Sequence, residues 1–347
     1  MSLDPTDVVA APVSSTPTEV AEALAAEHYG LQASARRLSS ERDENFQLTA
    51  AGKEFLLKIS NAAEDREVAD FQTGALLHLE RVDPELPVPR LQRSRDGHVA
   101  VLVRTAGDAP RVMRLQTFLP GLPLIGVERS AAQVSNLGAM LARLDIALGS
   151  YEHPGGTQPL RWDLCHARTL RPLVALIDDA ARRALVTDVL DRFERLALPV
   201  LATLRRQVIH NDFQPSNVLV DARDPTRITG IIDFGDMVRA PLINDLAVAA
   251  AYQVSIAPGP LDFVSSLIGA YDRRLPVSDA ETAILFDLIA TRLVLTALIT
   301  NWRVRLQPGN RDYILRHADA AWTGLRRFSA LNPDAACAQL MRARRLE

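Results

Sequence analysis

The chain has 347 residues, 48% of them hydrophobic and 23% charged, so one large domain or two or three smaller ones can bury a substantial core. A net charge of -3 gives no global attraction to nucleic acid or to an anionic membrane surface. Two cysteines, Cys165 and Cys337, lie far apart in sequence; they suit a reduced compartment and provide neither a disulfide framework nor a metal cluster.

The first residues, Met1-Ser2-Leu3-Asp4-Pro5-Thr6-Asp7, lack the basic start and apolar core of a signal peptide. Residues 1–17 are rich in Pro, Ser, Thr, Val and Ala, and read as a flexible arm. Thr18 is the expected N-cap of a helix over Glu19 to Tyr29, with Gly30 as its stop. From Leu31 the pattern becomes strand-like. Ala35 to Leu38, Asn45 to Thr49 and Glu54 to Ile59 alternate or run apolar, and Ala51-Gly52-Lys53 joins the last two. Glu64 to Leu79 has helical periodicity, with Val68, Phe71, Ala75, Leu76 and Leu79 on one side. Prolines 84, 87 and 89 end it. Two strands follow, Val99 to Arg104 and Val112 to Phe118, hinged at Gly107-Asp108.

After Leu119-Pro120-Gly121 the texture turns helical. Ala131 to Leu148 is an apolar helix, followed by a loop at Pro154-Gly155-Gly156. Helices are expected near 163–180, 181–195 and 197–206, and again at 242–253, 260–271, 279–304 and 310–329. The most apolar long run, Ala283 to Thr300, contains Asp287 and Arg292. It therefore reads as a buried helix rather than a membrane span, and a cytoplasmic protein without a membrane partner is expected. The fold class is α+β in two lobes: residues 18–120 as a small antiparallel sheet with one helix, and 121–347 as a mainly helical lobe. A cleft between such lobes is the expected ligand site.

The second half is interrupted by Val208-Ile209-His210-Asn211-Asp212-Phe213-Gln214-Pro215-Ser216-Asn217-Val218-Leu219-Val220. A second apolar run, Ile228 to Ile232, then ends in Asp233-Phe234-Gly235-Asp236. An Asp, an Asn five residues on, and an Asp-Phe-Gly after a short hairpin follow the order used in metal-assisted phosphoryl transfer. Asp212 is the candidate catalytic base for an acceptor hydroxyl; alone it would read as a turn cap. Asn217 and Asp233 are candidate Mg²⁺ ligands, since Mg²⁺ takes few protein oxygens and completes its shell with phosphate and water. Their plainer readings are an ordinary turn Asn and a strand-ending cap. Asp236 divides between a second metal and the Gly235 turn. His210 is read as pinning the loop. Asp245 is read either as an N-cap or as a buried acceptor for loop amides. Lys58 lies on a strand from which it can reach nucleotide phosphates, with Glu64 and Glu67 as anionic partners. The loop Ser39 to Phe46 has no glycine, so Ser40 and backbone amides would have to cover the nucleotide.

With these residues the chain resembles the aminoglycoside phosphotransferase and choline kinase-like superfamily, which has the protein-kinase-like fold, from about Leu31 to Leu325. The resemblance implies Asp212 as base, Asn217 and Asp233 on Mg²⁺, Lys58 on the phosphates of ATP or GTP, and Gln116-Thr117-Phe118-Leu119 as the hinge that reads the purine. Within the superfamily, Ser40 to Phe46, Leu57 to Asn61, Arg161 to Leu164 and Asn244 to Ala247 are similar to the hydroxylysine kinases and to kinase domains fused to PLP-dependent class III aminotransferases. That likeness implies a small hydroxylated amine or amino acid as acceptor and a functional link to an aminotransferase or phospholyase. Two positions depart from the pattern. Asn211 stands where relatives more often have Gly. The best helical register puts Gln72 where related kinases have Glu. A cationic acceptor calls for acidic groups, and Trp162 with Asp163, or Asp236, are candidates; Arg42 and Arg168 are candidates for a carboxylate. The alternatives are a kinase for choline, ethanolamine, homoserine or an aminoglycoside, and a non-catalytic nucleotide-binding module.

Overall fold

The structure is a computed structural model that describes residues 16–40, 43–105 and 109–344. The chain divides into two compact units, Met1–Pro120 with His153–Gly155, and Gly121–Glu152 with Gly156–Glu347.

In the first unit, helix α1 (Thr18–Tyr29) precedes strands β1 (Ser34–Leu38), β2 (Glu44–Ala50) and β3 (Lys53–Ile59). Helix α2 (Arg66–Val82) follows, then β4 (Leu91–Gln92), β5 (Val101–Val103) and β6 (Arg111–Thr117). These strands form one six-stranded sheet, ordered β1-β2-β3-β6-β4 with β5 also on β6, and every pairing is antiparallel. The β2–β3 turn places Ala51 and Gly52 at φ 49° and 76°, which suits a two-residue hairpin matched to strand twist. Alternation sends Phe46, Leu48, Leu57, Ile59, Met113 and Leu115 to the face covered by α1. Lys58 and its register partner Arg114 therefore point to the other face, where Arg114 meets α2.

In the second unit, β7 (Leu122–Pro123) and α3 (Ala131–Leu148) come first. A long 3₁₀ stretch (Leu164–Leu176), α4 (Ala180–Arg192) and α5 (Leu198–Leu201) lead to β8 (Arg206–Ile209). The hairpin is β9 (Val218–Val220) with β10 (Ile228–Ile231), and β11 (Val238–Pro241) pairs back onto β8. The rest is helical: α6 (Ile243–Ala251), α7 (Asp262–Asp272), α8 (Asp279–Leu306), α9 (Arg311–Leu315), α10 (Ala318–Ser329) and α11 (Pro333–Ala343). Helix α8 is long and apolar enough to cross a membrane, but 94% of its apolar 18-residue window is buried inside the protein, as a core helix is.

Several boundaries differ from expectation. Thr18 is the first helical residue, and Pro17 occupies the cap without a side-chain bond. Most of the arm expected over 1–17 lies outside the described residues, as do Arg42 and the Gly107-Asp108 hinge. Thr16 is not loose: it is buried, and its N–H and hydroxyl both donate to Glu44, at 2.7 and 2.6 Å. The helix expected over 310–329 breaks at Arg316-His317 into α9 and α10. The helix expected over 197–206 gives way to β8 at Arg206, whose pairing with β11 overrides local propensity. β4, β7, β11 and α11 have no counterpart among the elements expected from the sequence. β4 is two residues long, and β11 contains an Arg and ends in a Pro.

Helices α3 and α7 cross at Gly138, where an added Cβ would collide with the Leu267 carbonyl. Gly138→Ala should therefore lower unfolding stability by about 2 kcal/mol or more, because backbone cannot yield as a side-chain tip does. Urea denaturation would measure it, and an unchanged midpoint would contradict this packing.

Candidate active site

In the second unit the site begins with how β8 ends. Asn211 adopts φ 62°, a left-handed conformation that Asn tolerates better than most residues. The reversal is held from below by Asp245, in the first turn of α6, whose carboxylate accepts the amides of His210 at 2.9 Å and Asn211 at 2.7 Å. Of the two readings of Asp245, the structure shows the buried acceptor; the helix cap position is Leu242.

His210 links the loop to the strand beside it. Burial lowers its pKa in spite of the nearby Asp245 and Asp233 charges, so the ring is neutral. Nε2–H then donates to Ile232 O at 3.2 Å, and Nδ1 accepts from Asp212 N at 3.3 Å. The ring also packs edge-on against Phe234, 4.8 Å between centroids. One imidazole thus ties the backbone at Asp212 to the backbone preceding Asp233. Asn211 adds a bond from its Nδ2 to Asp236 O, 3.2 Å.

The Asp212 carboxylate is half-buried and held from two sides. Asn217 Nδ2 donates to Oδ2 at 2.6 Å and to the Asp212 carbonyl at 3.1 Å, and Gln214 Nε2 donates to Oδ2 at 3.3 Å. From the middle of α8, Arg292 Nη2 donates to Oδ1 at 3.1 Å. In the sequence Arg292 stands out only as a charge that argues against a membrane span; its contact with Asp212 follows from tertiary packing alone. Asp233 is exposed at φ 63°, its Oδ1 accepting from Gly235 N at 3.3 Å. Asp236 is buried.

The donor set fits a hard divalent cation such as Mg²⁺. The Asn217 amide bonds Asp212 through Nδ2, which turns its carbonyl oxygen away from Asp212. That oxygen and the exposed Asp233 carboxylate are the oxygen types Mg²⁺ takes alongside phosphate and water. A carboxylate such as Asp212 beside such a cation can accept a proton from a hydroxyl.

Beneath Asp245 lies a second carboxyl, Asp145 of α3, fully buried and accepting from Tyr271 Oη at 2.7 Å. Burial first, and the Asp245 charge second, push Asp145 well above the ordinary carboxylate range. Asp245 is raised as well, by burial, but two backbone N–H groups favour its ionised form, so the proton resides on Asp145.

The other expected residues are placed as follows. Asp163 is buried as a cap, accepting from Cys165 N at 2.9 Å and Asn244 Nδ2 at 3.3 Å. The Trp162 ring takes a cation from within the protein, the Arg292 guanidinium, 4.9 Å from its centroid.

In the first unit, Lys58 Nζ lies 2.9 Å from Asp43 Oδ2, and Asp43 Oδ1 accepts from Asn61 N at 3.0 Å. Ser40 Oγ donates to the Asp43 carbonyl. Asp43, in the loop before β2, is thus an acidic partner of Lys58 in addition to those expected from the sequence. Gln72, at the position where a Glu was sought, accepts from Arg114 Nη2 at 2.9 Å and donates to Glu64 at 3.3 Å. Gln116 is buried in β6, paired with Leu56 and Leu91, and Phe118 N–H donates to Glu54 O at 3.3 Å.

Residues 34–276 match the model of the phosphotransferase enzyme family. The chain is 30% identical to a hydroxylysine kinase of Danio rerio, over 85% of this chain and 88% of that one. It is 24% identical to a hydroxylysine kinase of Mus musculus, over 89% and 88%. Among solved structures, a microcompartment-associated aminopropanol kinase superposes with a TM-score of 0.71 at 22% identity, covering 89% of this chain and 95% of that one. An amicoumacin kinase in complex with AMP-PNP, Ca²⁺ and Ami does so with a TM-score of 0.66 at 16% identity, covering 91% and 96%. At these identities the structural matches show the shared fold, which is α+β and protein-kinase-like.

Two predictions follow from the loop's supports. Asn211→Gly should leave stability within about 1 kcal/mol, whereas Asn211→Val, β-branched at positive φ, should lose about 2 kcal/mol or more in urea unfolding. Equal stability of the two would remove the left-handed turn. Asp145 has a folded pKa above its unfolded value of about 3.9, so its contribution is complete below that pH and is lost as pH rises through the folded pKa. Asp145→Asn should therefore flatten the decline in stability as pH rises above the ordinary carboxylate range, seen as a smaller fall in melting temperature with rising pH.

Proposed function

This chain belongs to the phosphotransferase enzyme family, and from that premise we propose that it is a small-molecule O-kinase acting on a hydroxy-amino-acid or amino-alcohol, most like hydroxylysine kinase. The observation that carries the reading is the Asp212 carboxylate held by Asn217 Nδ2, with the Asn217 carbonyl oxygen turned away and Asp233 exposed. In this reading Asp212 orients the acceptor hydroxyl and takes its proton. The acceptor oxygen bonds to the γ-phosphorus as the bond from that phosphorus to the β,γ-bridging oxygen breaks, leaving a nucleoside diphosphate and a phosphate ester.

Asn217 and Asp233 would hold Mg²⁺, which when bound supplies charge neutralisation for the phosphates. Lys58 is assigned to the phosphates of ATP or GTP. Its Asp43 partner keeps the ammonium extended on the strand, and Ser40 ties the loop carrying Asp43. We place the purine along Gln116 to Leu119, with Phe118 contributing its ring rather than its amide, which Glu54 already engages. Asp236 is assigned to the turn through its carbonyl bond with Asn211. Trp162 and Asp163 are assigned to the wall behind Asp212, since both are buried and partnered. A phosphorylated amino acid or amine is a fit substrate for a PLP-dependent lyase or aminotransferase, and we propose such a link.

Asp212→Asn should reduce phosphate transfer by about 10³-fold or more while leaving the melting shift given by Mg²⁺ plus nucleotide largely intact. The assay is a panel of hydroxy-amino-acids and amino-alcohols, each with ATP and with GTP. Transfer at the parental rate in the variant would remove Asp212 as base. No turnover of any acceptor by the parent protein would favour a binding module.

A further inference from the structure

Arg292 sits near the middle of the 28-residue helix α8, and 1% of its surface is exposed. A charge so placed is unfavourable unless its surroundings compensate it closely, and an apolar side chain of similar size would pack there without that cost. The surroundings do compensate. Nη1 donates to the Trp162 carbonyl at 3.1 Å, and Nη2 to Asp212 Oδ1 at 3.1 Å. The guanidinium lies over the Trp162 ring, 4.9 Å from its centroid. Nε is buried with no acceptor. The fork is therefore oriented by Trp162 and Asp212, at the expense of one of its own donors.

The other side-chain bonds to Asp212 described above come from Gln214 and Asn217, residues of its own loop. Such bonds move when the loop moves. Arg292 comes from 80 residues along the chain and refers the carboxylate to the largely buried core helix α8. Being buried, it is not placed to touch an acceptor or a nucleotide.

We propose that Arg292 is the positioning residue for Asp212. The guanidinium, lying over the Trp162 ring with one Nη bonded to the Trp162 carbonyl and the other to Asp212, sets the direction in which the Asp212 carboxylate faces, and so governs the rate of transfer rather than the affinity for either substrate. The inference rests on the role of Asp212 proposed above. A planar guanidinium suits the task because it reaches two acceptors at fixed angles; a lysine ammonium reaches one and brings no fixed plane. Small misplacements of a reacting group have large effects on rate, on the order of 100-fold for about 1 Å.

The test measures kcat and KM for Arg292→Lys, Arg292→Met and, in parallel, Asp212→Asn, with the acceptor found active in the panel and saturating Mg²⁺–nucleotide. The expected order is parent, then Lys about tenfold lower in kcat, then Met about 100-fold lower, with both KM values within about threefold of the parent. A lysine variant at parental kcat overturns the proposal, and this variant decides alone if Arg292→Met does not fold. A loss expressed wholly in KM also overturns it, since that would mean contact with a substrate. If Asp212→Asn remains active, the role of Asp212 falls and this inference with it. If Asp212→Asn is inactive while both Arg292 variants keep parental kcat, only the present inference falls.

Discussion

The second unit depends on one buried carboxylate, Asp245. It accepts the two amides that β8 leaves behind where the chain reverses at Asn211. Each of those amides, buried without a partner, would cost about 1–3 kcal/mol, so the reversal is stable only while Asp245 lies beneath it. The reversal in turn aims Asp212 and allows His210 to reach Ile232. Asp245 is itself supported by a protonated neighbour. Two ionised carboxylates could not share that volume, and Asp145, held by Tyr271, carries the proton that makes the pair compatible.

The same logic of one charge compensating another runs through the first unit. Alternation on β3 and β6 puts Lys58 and Arg114 on one face of the sheet, where two cations would repel. They are separated by giving each its own oxygen acceptors: Asp43 for Lys58, Gln72 for Arg114. Glu44, the residue after Asp43, is sequestered on the opposite face by Arg37, Arg111 and Thr16. Burial opposes its charge, and these donors outweigh burial and hold its carboxyl below the ordinary range.

The motif residues were legible in the sequence because their spacing is local. Asp212 and Asn217 belong to one loop, and Asp233 follows a hairpin short enough to read from apolar runs and turn residues. The antiparallel sheet and the long helices α3 and α8 were legible for a similar reason, since each repeats its period over many residues. Short elements were not. β4 has two residues, and β11 exists only because β8 offers it an edge. The Thr18 cap failed because Pro17 already supplies the extended residue that precedes the helix.

What the sequence determined by itself, then, was the class of fold and the motif whose groups are proposed to carry phosphoryl chemistry, since these rest on local spacing and periodicity. What only tertiary structure decided was the partner of each group. Asp43 for Lys58, Asp145 for Asp245 and Arg292 for Asp212 lie 15 to 100 residues from the side chain they serve, and no period in the chain links them. Their pairing is enforced by burial: a charge removed from water must find its complement nearby, wherever along the chain that complement originates.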